Sequence, residues 1–208
     1  KSFNVDCHIV NNAAEYFDLE PYSSDSDKIK IIHHGNASPS RKLELLIEMM
    51  ETLDSRFELY LMLVAKRTHK LYLNKLKKKA AKYTNIHFLD PVPYENLIEY
   101  SNQFDIGILF FPPVNLNLEV CLPNKLFEFI QSRLCIVSGP SIEIKKYIET
   151  YNLGLVSDNF EPKNMAKHLN LLTKEDIINY KNNSNHNAYP LSSEVNKEKI
   201  SHIIKGLI

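Results

Sequence analysis

The chain reads as an α/β protein: a Rossmann-like parallel sheet of about six strands with helices on both faces, in a single domain. Three observations carry this expectation. Short apolar runs alternate with helical segments at least five times along the 208 residues. Those runs are continuously apolar, the pattern of strands buried on both faces, where a half-exposed strand would alternate. The composition is that of a globular domain, 44% hydrophobic and 24% charged, and a chain this long buries roughly two-thirds of its unfolded surface.

The elements follow in order. Residues 1–28 are polar and irregular, with a linker-like Ser23-Ser24-Asp25-Ser26-Asp27 cluster. Ile29 to His34 predicts a buried strand ended by Gly35, and Ser38-Pro39 a helix start with Pro at the first helical position. Leu43, Leu45, Leu46, Ile47, Met49 and Met50 then form a helical apolar face. Phe57–Val64 is the second strand, and 67–83 a basic helix with Leu71, Leu73, Leu76 and Ala80 inward. Ile86–Leu89 is a third strand, and Pro93-Tyr94-Glu95 opens a helix to about Asn102. Asp105–Phe111 is a fourth strand, stopped by Pro112-Pro113, and a loop runs on to Pro123. A helix over 124–132, a strand over 134–138, a helix over 142–150 and a short strand over 154–156 complete the sheet. The remainder is helical, broken near Asn182–Pro190, and Ser192 or Ser193 caps a last helix with Glu194 at its start.

Several function classes are excluded. With five glycines, the chain holds neither G-x-G-x-x-G nor G-x-x-x-x-G-K-[ST]. No apolar run approaches the ~20 residues of a membrane span. Cys7, Cys121 and Cys135 form no C-x-x-C, and the eight His do not pair with Cys at zinc-finger spacing. A reduced, cytoplasmic setting follows, with Cys135 a small core residue. The chain begins at Lys1, and nothing before Asn11 resembles a domain start or secretion signal, so it reads as part of something longer.

In parallel sheets of this kind, ligands bind beyond the C-terminal strand ends. The candidate residues are therefore His34–Arg41, Ala65-Lys66, Leu89–Tyr94, Phe111–Pro113 and Ser138–Pro140, joined by Pro123–Glu128. Gly35, Asn36 and Arg41 combine a flexible loop, a helix start and a cation, which together favour an anion. Pro123, Asn124 and Lys125 repeat that arrangement. Glu128, one turn later, can accept hydrogen bonds from the vicinal hydroxyls of a ribose.

At this point the sequence resembles family 4 glycosyltransferases, retaining enzymes of the glycosyltransferase B fold. Pro123-Asn124-Lys125 and Glu128, followed by Leu134-Cys135-Ile136-Val137, resemble the donor-site signature P-N-K-x-x-E-x-x-x-x-x-x-P-V-I. Gly35 to Arg41 resembles the family's G-x-x-x-x-x-K, Asn85–Leu89 with Asp105-Ile106-Gly107 its N-V-x-F-x-G…A-D-V stretch, and Asn11-Asn12-Ala13 its P-N-A. The likeness covers most of 9–172. It implies that Arg41 neutralises the donor diphosphate, that Pro123, Asn124 and Lys125 approach that diphosphate, and that Glu128 holds the ribose. It also implies that Leu89 and Val92 lie near the nucleobase. His34 and Glu119 are the candidates for contact with the donor sugar. No catalytic nucleophile is assigned, and no metal or cofactor is expected beyond the nucleotide sugar itself.

Departures from the family pattern are plain. Asn36 stands where an arginine is frequent. Val120 occupies the first glutamate of E-x7-E, with Glu119 one place early, and Arg133 replaces the usual glycine before the strand.

The resemblance divides the chain into 1–28, an interdomain linker; 29–190, the nucleotide-sugar-binding domain; and 191–208, a helix crossing to an N-terminal acceptor domain. Two further features belong to no such site. Asp25-Ser26-Asp27 spells D-x-D, but in a linker and not after a strand, so it reads as a decoy for a metal motif. Residues 66–82 hold eight Lys and Arg with no acid, which the zero net charge hides. Such a face can touch an anionic membrane surface weakly, at the inner face of the membrane for a cytoplasmic protein. It lacks the interleaved aromatics of nucleic-acid binders. The alternative to a transferase is a non-catalytic Rossmann-like binding module.

Overall fold

The structure is a computed structural model and describes residues 8–23 and 26–205. Expectations that fall on Cys7, on Asp25 of the D-x-D and on residues 206–208 lie outside the described residues. In chain order the elements are β1 (Ile29–Asn36), α1 (Glu44–Met49), β2 (Phe57–Val64), α2 (Lys70–Ala80), β3 (Ile86–Leu89), α3 (Leu97–Asn102), β4 (Ile106–Leu109), α4 (Leu116–Val120) and α5 (Asn124–Gln131). Then follow β5 (Cys135–Ser138), α6 (Ile142–Tyr151), β6 (Gly154–Val156), α7 (Pro162–Leu171), α8 (Lys174–Ala188) and α9 (Ser193–Lys205).

The six strands form one parallel sheet in the order β3-β2-β1-β4-β5-β6. The chain starts at the centre, runs to one edge, returns beside β1, and runs to the other edge. The loops after β1 and β4 therefore lead to opposite sides and leave a crevice between them.

Both sheet faces are covered, as the continuous apolar runs require. Ile31, Leu59, Ile106 and Val137 bury against α1, α2 and α7, while Ile32, Met62, Leu109 and Ile136 bury against α3, α5 and α6. Helix α8 reaches the first cluster through Ile177 and the second through Ala188. Each fully buried Ile, Leu or Phe contributes about 1.5–3 kcal/mol. Cys135 lies in this core, fully buried. Gly107 on β4 is needed for close approach, because a Cβ there would stand 2.5 Å from the Phe129 ring. That approach seats α5 directly on the sheet and fixes where its first turn points.

Several boundaries differ from expectation. β1 continues through Gly35 to Asn36, and Pro39 opens only a 3-10 turn, Pro39–Arg41, before α1 begins at Glu44. β4 is shorter than the apolar run that suggested it. The loop before Pro123 contains α4, whose start is capped by Asn115 Oδ1 accepting from the Leu118 N–H at 3.0 Å. A 3-10 turn, Arg67–His69, leads into α2, and Leu71 is 76% exposed because it falls off the face that Leu76 and Ala80 bury. The expected break near Asn182–Pro190 comes at the end of that range, over 189–192 between α8 and α9, and a second one precedes α8. Thr173 and Asp176 form a capping box that starts a fresh helix, and α8 then runs unbroken to Ala188.

Arg133 explains its own departure from the family glycine. It takes φ +57°, the left-handed region, and is fully buried. Its guanidinium donates to the carbonyls of Phe17 (2.5 Å), Gln131 (2.6 Å) and Leu19 (3.1 Å) and to Asn185 Oδ1 (2.6 Å). The leading segment is thereby tied to the domain. Helix α9 holds the same segment: Ser193 N–H donates to Ala14 O at 2.9 Å, and Glu194 Oε2 accepts from the Tyr16 N–H at 2.8 Å.

Candidate functional site

At the C-terminal ends of β1 and β4 lies an open cleft of about 880 Å³. Its walls are His34, Gly35, Asn36 and Arg41 from the β1 side, Phe111 after β4, Tyr94 and Leu97 at the start of α3, and Pro123, Asn124, Lys125 and Glu128 from the start of α5.

Local backbone chemistry builds it. Gly35 has φ +115°, which strains any L side chain, and a Cβ there would stand 3.3 Å from Lys125 Nζ. Glycine thus lets the lysine cross the end of β1. Pro123 precedes α5 without side-chain capping, and no acid occupies the first turn. The positive end of that helix, with its free N–H groups, faces the cleft.

Four titratable side chains are set around Lys125. Its Nζ lies 3.3 Å from His33 Nε2, and His33 Nδ1 lies 2.9 Å from Ile108 O. Burial first, then Lys125, holds His33 well below its ordinary pKa, so the ring is neutral. Its one proton belongs on Nδ1, facing the carbonyl, and Nε2 then accepts from the ammonium. Burial, and then Arg41, bring Lys125 down to about 7, against the opposing pull of Glu128. His34, pushed to about 3 by burial and then Lys125, is neutral as well. It rests edge-on against Phe129 with ring centroids 4.9 Å apart. Its buried Nε2 has no hydrogen-bond partner and stands 3.7 Å from Glu128 Oε2. Glu128 is 8% exposed; burial raises its pKa, while Lys125 and the Tyr94 hydroxyl lower it. Arg41 stacks its guanidinium 4.8 Å over the Phe111 ring. Asn124 Oδ1 accepts from Asn12 Nδ2 at 3.0 Å, bringing the leading segment to the rim.

The arrangement suits a dianion flanked by a polyol. Two cations and a helix N-terminus converge on one space, with a buried carboxylate one turn further along.

Gly35, Asn36, Arg41, Pro123, Asn124, Lys125, Glu128 and His34 are thus brought to one cleft. Leu89 and Val92 are not on its wall; both are half-buried against the second core cluster. Glu119 is exposed on α4 and also lies off the wall. Tyr94 and Phe111 fell within the strand-end ranges without a role of their own. Leu97 and His33 were missed. His33 carries a weak sequence signal, adjacency to His34, but its partners are 75 and 92 residues away. On the wider surface, Asp27 of the D-x-D pairs with Lys174 at 3.3 Å. No helix among the described residues is long and apolar enough to cross a membrane.

Comparison with known proteins gives a consistent picture. The family described as "Glycosyl transferases group 1" matches residues 17–190. No curated protein matches the chain. The C-terminal domain of LpcC, a group 1 family glycosyl transferase from Francisella tularensis, is similar at 15% identity and TM-score 0.60, over 79% of this chain and 91% of that one. HepE of Anabaena, solved with UDP and glucose, is similar at 12% identity and TM-score 0.71, over 86% of this chain and 48% of that one. S. aureus TarM, solved with Fondaparinux, α-GlcNAc-glycerol and UDP, is similar at 14% identity and TM-score 0.71, over 96% and 40% respectively. The chain therefore spans less than half the length of HepE and TarM. At these identities the likenesses show the fold.

Proposed function

The chain belongs to the group 1 glycosyl transferases and has the architecture of one domain of the glycosyltransferase B type; from that premise we propose that it is the donor-binding half of a retaining enzyme. It takes a sugar from a nucleotide-diphosphate sugar, a UDP-sugar, to a glycan or lipid-linked acceptor in polysaccharide biosynthesis. One observation carries this reading: Arg41, Lys125, the start of α5 and Glu128 meet in a single cleft where β1 and β4 part. UDP in the HepE and TarM structures supports the choice of nucleotide.

The roles follow from chemistry. Breaking the sugar–phosphate bond places charge on the departing diphosphate, and Arg41, Lys125 and the α5 N–H groups stabilise it. His33 holds Lys125 in place from below. Glu128 accepts from the ribose hydroxyls, and Tyr94, beside Glu128, is placed to cover the nucleoside. His34 Nε2, unsatisfied at the wall, is available to the donor. The acceptor belongs to an N-terminal domain, with residues 1–28 as the linker and 191–208 as the helix crossing back. The basic stretch 66–82 brings the enzyme to the inner membrane face.

Calorimetric titration with UDP and UDP-glucose tests the proposal. Saturable binding is expected, weakened about tenfold or more in Arg41→Ala and in Glu128→Ala, since each loses a charge-assisted hydrogen bond. Absence of saturable binding, or unchanged affinity in both variants, sinks it. A non-catalytic binding module is the second reading, favoured by the exposure of Glu119 away from the cleft. Sugar transfer by the chain joined to its acceptor domain decides against that reading.

A further inference from the structure

Beside the donor cleft lies a second concavity of about 510 Å³, walled by Ser38, Ser40, Lys66 and His69 and sharing Asn36 and Arg41 with its neighbour. No carboxylate lines it. The wall on the β2 side is the start of the helical run that becomes α2. Neither the Arg67–His69 turn nor α2 has a side-chain cap or an acid in its first turn.

Helix starts favour anions and are disfavoured by cations. This one carries Lys66, Arg67, His69 and Lys70. None of the four has a carboxylate partner among the described residues. Further along, Lys79 of α2 pairs with Glu48, Lys77 lies over the Phe88 ring, and Lys82, just past the helix, pairs with Glu51 at 3.4 Å. Across the concavity Arg41 stacks on Phe111, again with no carboxylate, and the Ser38 and Ser40 hydroxyls bond to one another at 2.9 Å. Like charges gathered at the positive end of a helix raise the free energy of the protein alone. A single anion in the concavity relieves Lys66 and Arg41 together.

We infer that this concavity is a second phosphate subsite, which takes a phosphate ester carried by the acceptor while the donor diphosphate occupies the adjoining cleft. A tetrahedral oxyanion accepts from several directions, which matches two hydroxyls, a guanidinium, an ammonium and an imidazole set around one space. Lys125 and Glu128 do not line it, so it does not duplicate the donor site. Arg41, common to both walls, places the second phosphate next to the reacting end of the donor. The word acceptor rests on the donor reading above; the phosphate chemistry rests on the concavity alone. Two sources share that chemistry, a soluble sugar or polyol phosphate and a lipid phosphate headgroup.

The test uses the chain saturated with UDP and titrated with glycerol 3-phosphate by calorimetry. A second arm measures sedimentation with phosphatidylglycerol against phosphatidylcholine vesicles. Glycerol 3-phosphate is expected to bind the UDP-loaded chain, and Lys66→Gln/His69→Gln to weaken it about tenfold or more while UDP affinity holds. Ser38→Ala/Ser40→Ala is expected to weaken it in the same direction, and thermal melts establish that both variants are folded. Binding to phosphatidylglycerol vesicles alone, lost in Lys66→Gln/His69→Gln, supports the subsite with a lipid headgroup as its source. Phosphate binding unchanged in both variants overturns the inference, as does no binding in either arm or competition between glycerol 3-phosphate and UDP for one site. Loss of UDP binding with glycerol 3-phosphate binding kept, and still sensitive to Lys66 and His69, sinks the donor reading and leaves the subsite standing.

Discussion

At the N-terminal ends of the strands, Arg133 and Lys181 are buried cations with their protons placed. Arg133 donates to three backbone carbonyls and an amide oxygen. Lys181 donates to Phe104 O at 2.9 Å and lies 3.7 Å from Asp105. At the C-terminal ends of the same sheet, Lys125 has one nitrogen acceptor, a neutral imidazole, and Arg41 rests on an aromatic ring. Burial lowers the pKa of Arg133, Lys181 and Lys125 alike. The two ends differ in what compensates that burial. Where carbonyls and a carboxylate satisfy the cation, it ties segments together; where they do not, the charge is left without an anionic partner.

Arg133→Met gives the largest expected effect. It strips the donors from the carbonyls of Phe17, Leu19 and Gln131, and urea denaturation should show a loss of about 3 kcal/mol or more. A loss under about 1 kcal/mol, the range of ordinary surface changes, breaks the contrast from the structural side.

Lys125→Met comes next and should act in the opposite sense. Stability should not fall, because an under-bonded buried cation is removed. UDP affinity should drop about 10–100-fold, the value of one charge-assisted contact to the diphosphate. A stability loss like that of Arg133→Met makes Lys125 a structural residue and dissolves the comparison.

The smallest effect is a slope with pH. Lys125, at about 7 in the free protein, titrates near neutrality. A bound diphosphate favours the ammonium and raises that value, so binding takes up a proton above pH 7. Affinity for UDP-glucose should be highest below pH 7 and should decline as pH rises through it, by less than about tenfold per pH unit. Calorimetry in buffers of different ionisation enthalpy measures the proton uptake, and Lys125→Met should remove it. A flat profile from about pH 6 to 9 sharpens the comparison against Lys125 as the titrating group.

Much of this was legible in the chain. Continuous apolar runs identify each strand because both faces of a parallel sheet are buried, and the rule of strand-end loops collects Arg41, Lys125 and Glu128. Other features are less legible. Helix α4 has a local mark, the Asn115 cap three residues before Leu118, but at five residues it is too short to show a helical apolar period. Leu89 and Val92 pack beside the second core cluster and off the cleft wall, and a half-buried side chain in either place looks alike in sequence. His33 was overshadowed by His34 because its hydrogen-bonding partners come from β4 and α5.

Sequence alone determined the order and type of the elements, the lack of a glycine-rich phosphate cradle, and the cations and helix starts at the strand ends. These depend on side chains within a few residues of each other. Only the tertiary structure decided that β4 returns beside β1, that Lys125 crosses Gly35 to reach His33, and that Lys66 and His69 share a concavity with Arg41. Those outcomes, and the pKa of about 7 for Lys125, depend on burial and on charges brought close from distant parts of the chain. Both are set by how the strands are ordered, which no local window contains.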